Sequence, residues 1–326
     1  ISREIKKQYP DAIFVAPKNI IHHDIANELN VKIVGVFKGH IWEQTELYRF
    51  CKKENKVLLC LGNTGPIFYL NKIITLHDIA FIRFKDSFSR KFSNFYEFLI
   101  PRMLKSSKHI FTVSDFSKNE ISEYYRINKD KITVIHNAVN EDFFESKQVI
   151  SQDYILALSN INKQKNFSSL IQAFNELNDP NLKLYIIGSA NKNFINTNLE
   201  LKNDNNRIKY LGGNLTDSEI IKYYSNARLF AFTSYYEGFG IPPLEAQACG
   251  TPILLSNIPV FKEIYSDSAL YCDPFSVEDI KDKIRILIDD KILQKLLIEK
   301  GYENTRKYNW KASASKLLSQ VKSLNI

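Results

Sequence analysis

Short apolar runs separated by stretches of helical periodicity recur along this 326-residue chain, and that alternation constrains its fold more than any other feature. The runs are "VKIVGVF" (31–37), "VLLCL" (57–61), "IITL" (73–76), "HIFTV" (109–113) and "ITVI" (132–135). A second series follows: "YILALS" (154–159), "LKLYIIG" (182–188), "IKYLG" (208–212), "ARLFAFTS" (227–234), "PILLS" (252–256) and "ALYC" (269–272). They are apolar nearly throughout, as in strands covered on both faces, and helix patterns fall at 168–176, 217–225, 243–248, 277–289 and 292–308. Strands of that kind alternating with helices predict an α/β protein built on parallel sheets. The series breaks at the polar stretch "NEDFFESKQVISQDY" (140–154), which suits a linker. An N-terminal α/β domain is therefore expected over 1–147 and a second over 148–308. The last helix, within 309–326, follows the second sheet and is placed to cross back to the first domain.

Composition narrows the classes. No run of about 18 apolar residues occurs, so no transmembrane helix is expected. Cys51, Cys60, Cys249 and Cys272 form no C-x-x-C pair, which argues against a zinc site and a disulfide framework and fits a reducing, cytoplasmic setting. The net charge of +8 favours an anionic partner. No nucleic-acid module is recognisable, so no nucleic-acid partner is expected. The first residue is Ile1 and "ISREIKKQYPDAIFVAP" reads as the end of a helix entering a strand, so a further N-terminal piece is expected ahead of it.

The segment "SYYEGFGIPPLEAQACGTPILLS" (234–256) carries the chemistry. Glu237 follows an apolar strand, sits beside Gly238 and Gly240, and is followed by Pro242 and Pro243 and, eight residues on, by Glu245. The spacing alone says little, since Glu46 and Glu54 share it on what reads as an ordinary helix surface. Context separates the pairs. Pro243 fits a first helical position, where a missing N–H is no loss. The loop thus ends in a helix N-terminus, whose free amides and dipole attract anions. Glycines let backbone approach a ligand closely, and open α/β sheets bind ligands at the carboxyl ends of their strands. The plainer reading is a strand-to-helix turn with both carboxylates solvated; two of only 11 glycines within three residues weigh against it.

This segment resembles the E-x7-E signature of retaining glycosyltransferases of the GT-B fold, group 1 (family 4). The resemblance implies two Rossmann-like domains with a cleft between them. It implies that Glu237 approaches the donor sugar and Glu245 the ribose hydroxyls, with Gly238, Phe239, Gly240 and Ile241 lining the sugar and diphosphate. "ILALSNINKQKNFSSLIQAF" (155–174) is similar to the family's strand and following loop, and Lys165 matches its diphosphate-binding lysine. Where the family commonly carries arginines near the strand end and beside the lysine, this chain has Asn160 and Gln164; Asn160 is included among the donor-binding candidates. "KIITLHDIAFIRF" (72–84) resembles the family's strand ending in His-Asp, making His77 a candidate for contact with the transferred sugar. "TVSDFSKNEI" (112–121), "VIHNAVNEDFF" (134–144) and "TPILLSNIPVFKEIYSDSALYCDP" (251–274) also match family segments, so the likeness spans about 55–320. Asp115 or Ser117 reads as the cap of a helix starting near Lys118.

The resemblance leans toward bacterial mannosyltransferases that build surface polysaccharide. It implies a hexosyltransferase that moves a hexose, with mannose from GDP-mannose the first choice and UDP sugars open, to a glycan or lipid-linked hydroxyl. The donor is a substrate, and no cofactor or metal is expected. In the family, the segment ahead of this chain's start holds a first strand and a glycine-rich turn. Three rivals stand: a glycosidase, a nucleotide-sugar epimerase of the same fold, and a non-catalytic binding or scaffold protein. Finally, 81–109 holds seven Lys or Arg against Asp86 and Glu97, with Phe81, Phe84, Phe88, Phe92, Phe95 and Tyr96 spaced for one helical face. Such a helix either lies on an anionic membrane, at the inner face of the cytoplasmic membrane, or buries its aromatics in the core. The buried reading is preferred.

Overall fold

The computed structural model describes residues 1–144, 152–189 and 207–324. Its strands are β1 (Val15–Ala16), β2 (Lys32–Ile33), β3 (Leu58–Cys60), β4 (Lys72–Thr75), β5 (His109–Thr112), β6 (Ile132–Val134), β7 (Tyr154–Leu158), β8 (Lys183–Ile187), β9 (Ile208–Tyr210), β10 (Leu229–Phe232), β11 (Ile253–Ser256) and β12 (Leu270–Cys272). Every strand pair among the described residues is parallel. The chain divides into two compact units, Ile1–Asn137 with Trp310–Ile326, and Ala138–Asn309. The expected boundary at 147/148 lies outside the described residues.

In the first unit β3-β4-β5-β6 form one sheet and β1-β2 another. β4 and β5 are buried along their whole length: the central pairs Ile73–Ile74 and Ile110–Phe111 are apolar without alternation, and Lys72, Thr75, His109 and Thr112 are buried at the strand ends. Helix Arg90–Ser106 lays Leu99, Ile100, Met103 and Leu104 onto this sheet, beside Ile74 and Ile110. Among the described residues β1 and β3 each have one partner strand, and Val15, Leu58 and Cys60 line a cavity of about 420 Å³ shared with Trp42 and Tyr96. The expected strand 31–37 contracts to Lys32–Ile33. The reason is a side chain: the Glu46 carboxylate accepts from the Val36 and Phe37 amides at 2.8 and 2.9 Å, taking donors a ladder would need. Glu46 is therefore a backbone clamp and not an ordinary surface carboxylate. Gly35 makes room for it, since a Cβ there would meet the carboxylate at 2.0 Å.

Helix Trp310–Ser323 belongs to the first unit. Ala314 and Leu317 are buried with Ile5, Ile73, Phe111 and Ile135, and the Ser313 hydroxyl donates to the His136 carbonyl at 2.7 Å. Leu317→Ala removes fully buried methyl groups from this cluster and is expected to cost about 2–5 kcal/mol of stability. A thermal or denaturant melt of the variant that matched the parent would contradict the packing.

Among the described residues the second unit holds a six-stranded sheet in the order β12-β11-β10-β7-β8-β9. This is the doubly wound order of the dinucleotide-binding folds, and its reversal falls between β7 and β10, which pair in the register Leu229↔Ile155 and Phe230↔Leu156. Helices Phe167–Asn175 and Val277–Asp289 bury Leu170, Phe174, Ile280, Ile284 and Leu287 against Ile155, Leu184 and Leu254. The second helix forms over the residues its periodicity marked. Helix Asp217–Asn226 opens with a reciprocal cap between Thr216 and Glu219. One cap was misplaced from sequence: Ser114, not Asp115 or Ser117, starts helix Asp115–Tyr125, accepting from the Ser117 amide at 3.0 Å. All four cysteines are free and buried.

Candidate active site

The loops that leave β7 and β10 emerge at the sheet's reversal point, the crevice where open α/β sheets bind ligands. The β7 loop makes one short helical turn, Lys163–Lys165, capped by the Asn162 side chain, which accepts from the Lys165 amide at 3.2 Å. Asn166 then takes a left-handed φ of 54°, which asparagine tolerates better than most residues. Its buried side-chain amide donates to the Thr233 and Pro274 carbonyls at 3.1 and 2.8 Å, tying this loop to the chain beyond β10 and β12.

Gln164 provides the register. Its carbonyl accepts from the Tyr235 amide at 2.9 Å and its buried side chain donates to the Tyr236 carbonyl at 2.7 Å. The next residue on each loop is thereby brought together: Lys165 Nζ lies 2.6 Å from Glu237 Oε1, with the two side chains 16% and 10% exposed. Gln164 thus clamps the two loops and is no mere substitute for a family arginine. Sequence reasoning missed this because the contact joins residues 72 apart.

Past Glu237 the helix runs from Ile241 to Ala248, so it starts earlier than expected and Pro243 is its third residue instead of its first. The cost is small, because amides throughout a first turn lack intrahelical partners. Gly240 leads the helix with φ +95°, and a Cβ there would come within 2.8 Å of the Phe261 ring. The Tyr265 hydroxyl donates to the Gly240 carbonyl and fixes the turn. Phe239 is buried edge-on against Tyr308, ring centroids 5.6 Å apart, so its side chain packs inside the unit. Asn160 is exposed just past β7.

Glu245 lies within the helix and accepts a hydrogen bond from the Tyr224 hydroxyl at 3.2 Å. Burial pushes its carboxyl up to about 7, against the opposing pull of that hydroxyl. Tyr224 is fully buried and was not among the expected site residues; only its place in helix Asp217–Asn226 was readable. His77 belongs to the first unit, just past β4. Its amide donates to Asn63 Oδ1 at 3.0 Å and its carbonyl accepts from the Thr112 hydroxyl at 3.3 Å, while burial holds the imidazole below its ordinary pKa and therefore neutral near pH 7.

Two parallel α/β units, one with a lysine–carboxylate pair at its switch point beside a glycine-led helix, define a GT-B-type fold. A glycosyltransferase from Rickettsia africae superposes with a TM-score of 0.76 at 19% identity over 99% of this chain and 93% of that one. Anabaena HepE, solved in complex with UDP and glucose, gives 0.77 at 15% identity over 98% and 94%. The chain belongs to the group 1 glycosyltransferases: residues 138–304 match Glycosyl transferases group 1, and 68–143 match Glycosyltransferase Family 4. It is 34% identical over 225 residues to the O-antigen chain mannosyltransferase RfbU of Salmonella typhimurium, covering 68% of this chain and 62% of that protein. It is also 28% identical over 281 residues to O-antigen chain mannosyltransferase B of Escherichia coli, covering 80% and 74%. The match thus spans about three fifths of the Salmonella relative's length.

Proposed function

We propose that the chain transfers a hexose from a nucleoside diphosphate sugar to an acceptor hydroxyl with retention at the anomeric carbon, in polysaccharide synthesis. The Lys165–Glu237 pair at the switch point carries this reading, because it sets a cation for a diphosphate beside an acceptor group for sugar hydroxyls. In the proposed reaction the anomeric C–O bond to the diphosphate breaks and a C–O bond to the acceptor forms on the same face. The acceptor proton passes to the departing phosphate oxygen, so no further base is needed. Lys165 and the amides at 238–241 stabilise the charge that grows on the leaving group, and a charged hydrogen bond of this kind contributes about 1.5–3 kcal/mol. Glu237 accepts from hydroxyls of the transferred sugar. The neutral imidazole of His77 contacts that sugar, and Asn160 lies at the donor's edge.

GDP-mannose is the favoured donor, supported by the mannosyltransferase relatives. Thermal unfolding with GDP, UDP, ADP and dTDP sugars tests this. A ligand at about 100 times its Kd adds about 2.7 kcal/mol of stability, and no response to any of the four would overturn the donor reading.

Glu245 is assigned to the ribose hydroxyls. Its ionised form accepts two hydrogen bonds, whereas the protonated form has one O–H of its own to place. Since its carboxyl titrates at about 7, donor affinity is expected to climb as pH rises between about 6 and 8. Glu245→Gln should flatten that slope and weaken binding by about 1–3 kcal/mol. Titration calorimetry across the range checks both, and a slope retained in the variant would remove Glu245 from the ribose. The folded pKa is raised, so the linked stability is present at low pH and lost as pH passes upward through about 7.

A further inference from the structure

We infer that Asn63 is a positioning residue for His77, held in place by a side-chain relay from the turn Glu43–Leu47. All of these residues belong to the first unit. β4 ends at Thr75, and its ladder to β5 closes with the Leu76 amide, which donates to the Phe111 carbonyl at 2.9 Å. The next amide, that of His77, faces the loop that leaves β3 after Cys60. Asn63 Oδ1 there takes the part of a strand carbonyl, accepting at 3.0 Å. From the β5 side the Thr112 hydroxyl donates to the His77 carbonyl at 3.3 Å. The Asp78 carboxylate accepts from the Ala80 amide at 2.9 Å and closes the turn behind it. A side chain thus fixes the peptide on each side of His77, and the backbone angles set which ring rotamers are open to it.

Asn63 is itself held. The Thr64 hydroxyl donates to Glu43 Oε1 at 2.7 Å, and Glu43 Oε2 meets His40 Nδ1 at 2.9 Å. Gln44 binds the same loop twice: its side-chain amide donates to the Gly65 carbonyl at 2.8 Å, and its side-chain oxygen accepts from the Ile67 amide at 2.9 Å. Glu43–Leu47 is a π-helical turn, a rare winding that often marks functional sites. Gly65 lets the loop close, since a Cβ there would meet Cys60 Sγ at 2.4 Å. At the far end the His40 ring lies 4.7 Å from Phe95 and 6.0 Å from Tyr96 of helix Arg90–Ser106. The aromatic residues of 81–109 therefore do not share one face: Tyr96 packs with Phe88 and Phe92 against the core, and Phe95 is at the surface.

The consequence for the reaction rests on the reading of His77 as a contact of the transferred sugar. A plain strand end needs one acceptor for its last amide and nothing more. Here the acceptor sits on a loop that Glu43 and Gln44 pin in turn, which is stiffer than closing a ladder requires. Stiffness of that kind matters for a group that must meet a substrate, because a shift of about 1 Å at a reacting centre costs about 10²-fold in rate.

Histidine-ring NMR on the full chain, without donor or acceptor, tests the clamp, with the His77 resonance identified by its loss in His77→Ala. In Asn63→Ala that resonance is expected to shift, and its titration to rise toward the ordinary histidine range as the loosened ring meets more water. The His109 ring, held by Thr133 at 2.8 Å, reports on the rest of the unit and should stay in place. Thr64→Val keeps Asn63 but frees its loop from Glu43. It should move His77 the same way by less, and it serves in place of Asn63→Ala should that variant not fold. GDP release from GDP-mannose then tests the consequence. Asn63→Ala should lower kcat about 10–10²-fold with the donor KM within a few-fold of the parent. Asn63→Asp, which keeps an acceptor oxygen, should recover most of the rate, and the loss should vanish in the His77→Ala background. A His77 resonance unmoved by Asn63→Ala, or one that moves only together with His109, would overturn the clamp, as would rate losses that add in the double variant. No GDP release by the parent, or full release by His77→Ala, would count against the reading of His77 at the sugar, and the ring shift alone then decides the clamp.

Discussion

Glu237→Gln is expected to lower turnover about 10²–10³-fold while leaving affinity for the bare nucleoside diphosphate within a few-fold of the parent. The amide keeps the shape of the carboxylate but accepts less strongly from sugar hydroxyls. The loss should fall where charge develops, and removal of one such preorganised group costs about this much. In the proposed reaction the diphosphate is held by Lys165, whose ammonium the substitution frees from a contact of 2.6 Å. The variant should therefore lose activity without losing the nucleotide. The measurement pairs initial rates with calorimetric titration of the nucleoside diphosphate. A parallel fall in both would show that Glu237 and Lys165 act as one unit and would sink the separation of roles.

Lys165→Ala should lose both. Without the ammonium the leaving group forfeits its charged hydrogen bond in the ground state and more of it in the transition state. kcat/KM is expected to fall about 10²–10³-fold, with KM for the donor rising. The truncation also leaves Glu237, 10% exposed, without its cation. Breaking one side of a poorly hydrated pair is more destabilising than removing a surface ion pair, where about 0–1 kcal/mol is usual. A double-mutant cycle with Glu237→Gln separates these contributions: the stability penalty should shrink in the double variant while the kinetic loss remains. Lys165→Arg keeps the charge and should recover part of the rate. Full activity in Lys165→Ala would remove the lysine from the diphosphate.

Most of the fold was legible because the strands are buried on both faces. β7 and β10 are apolar from end to end and β11 up to its final Ser256, and that pattern has few readings other than an inner strand of a parallel sheet. The E-x7-E segment was legible for a different reason: glycine and proline mark backbone requirements that hold whatever the tertiary context, as Gly240 confirms with its φ of +95°. What stayed hidden are contacts set by topology. Gln164 reaches Tyr236, Tyr224 reaches Glu245, and Glu46 reaches Val36; in each case the partner lies across a loop or a crossover. Periodicity reports which face of an element is apolar and nothing of what that face meets. The helix Arg90–Ser106 shows the limit, since Phe92 and Phe95 look alike in sequence and differ by which neighbour arrived to cover them.

Because Ala138–Asn309 lies between the two parts of the first unit, that unit is discontinuous in the chain. A ribosome emits the second unit whole before it releases the helix Trp310–Ser323, so the half begun first is the half finished last. Until Ala314 and Leu317 emerge, the patch formed by Ile5, Ile73, Phe111 and Ile135 stays uncovered in a nascent chain. The long wait exposes an apolar surface to aggregation of the kind that burdens slow, non-local folding. Lesions in helix Trp310–Ser323 should therefore surface as poor yield during synthesis, with the unit Ala138–Asn309 already formed.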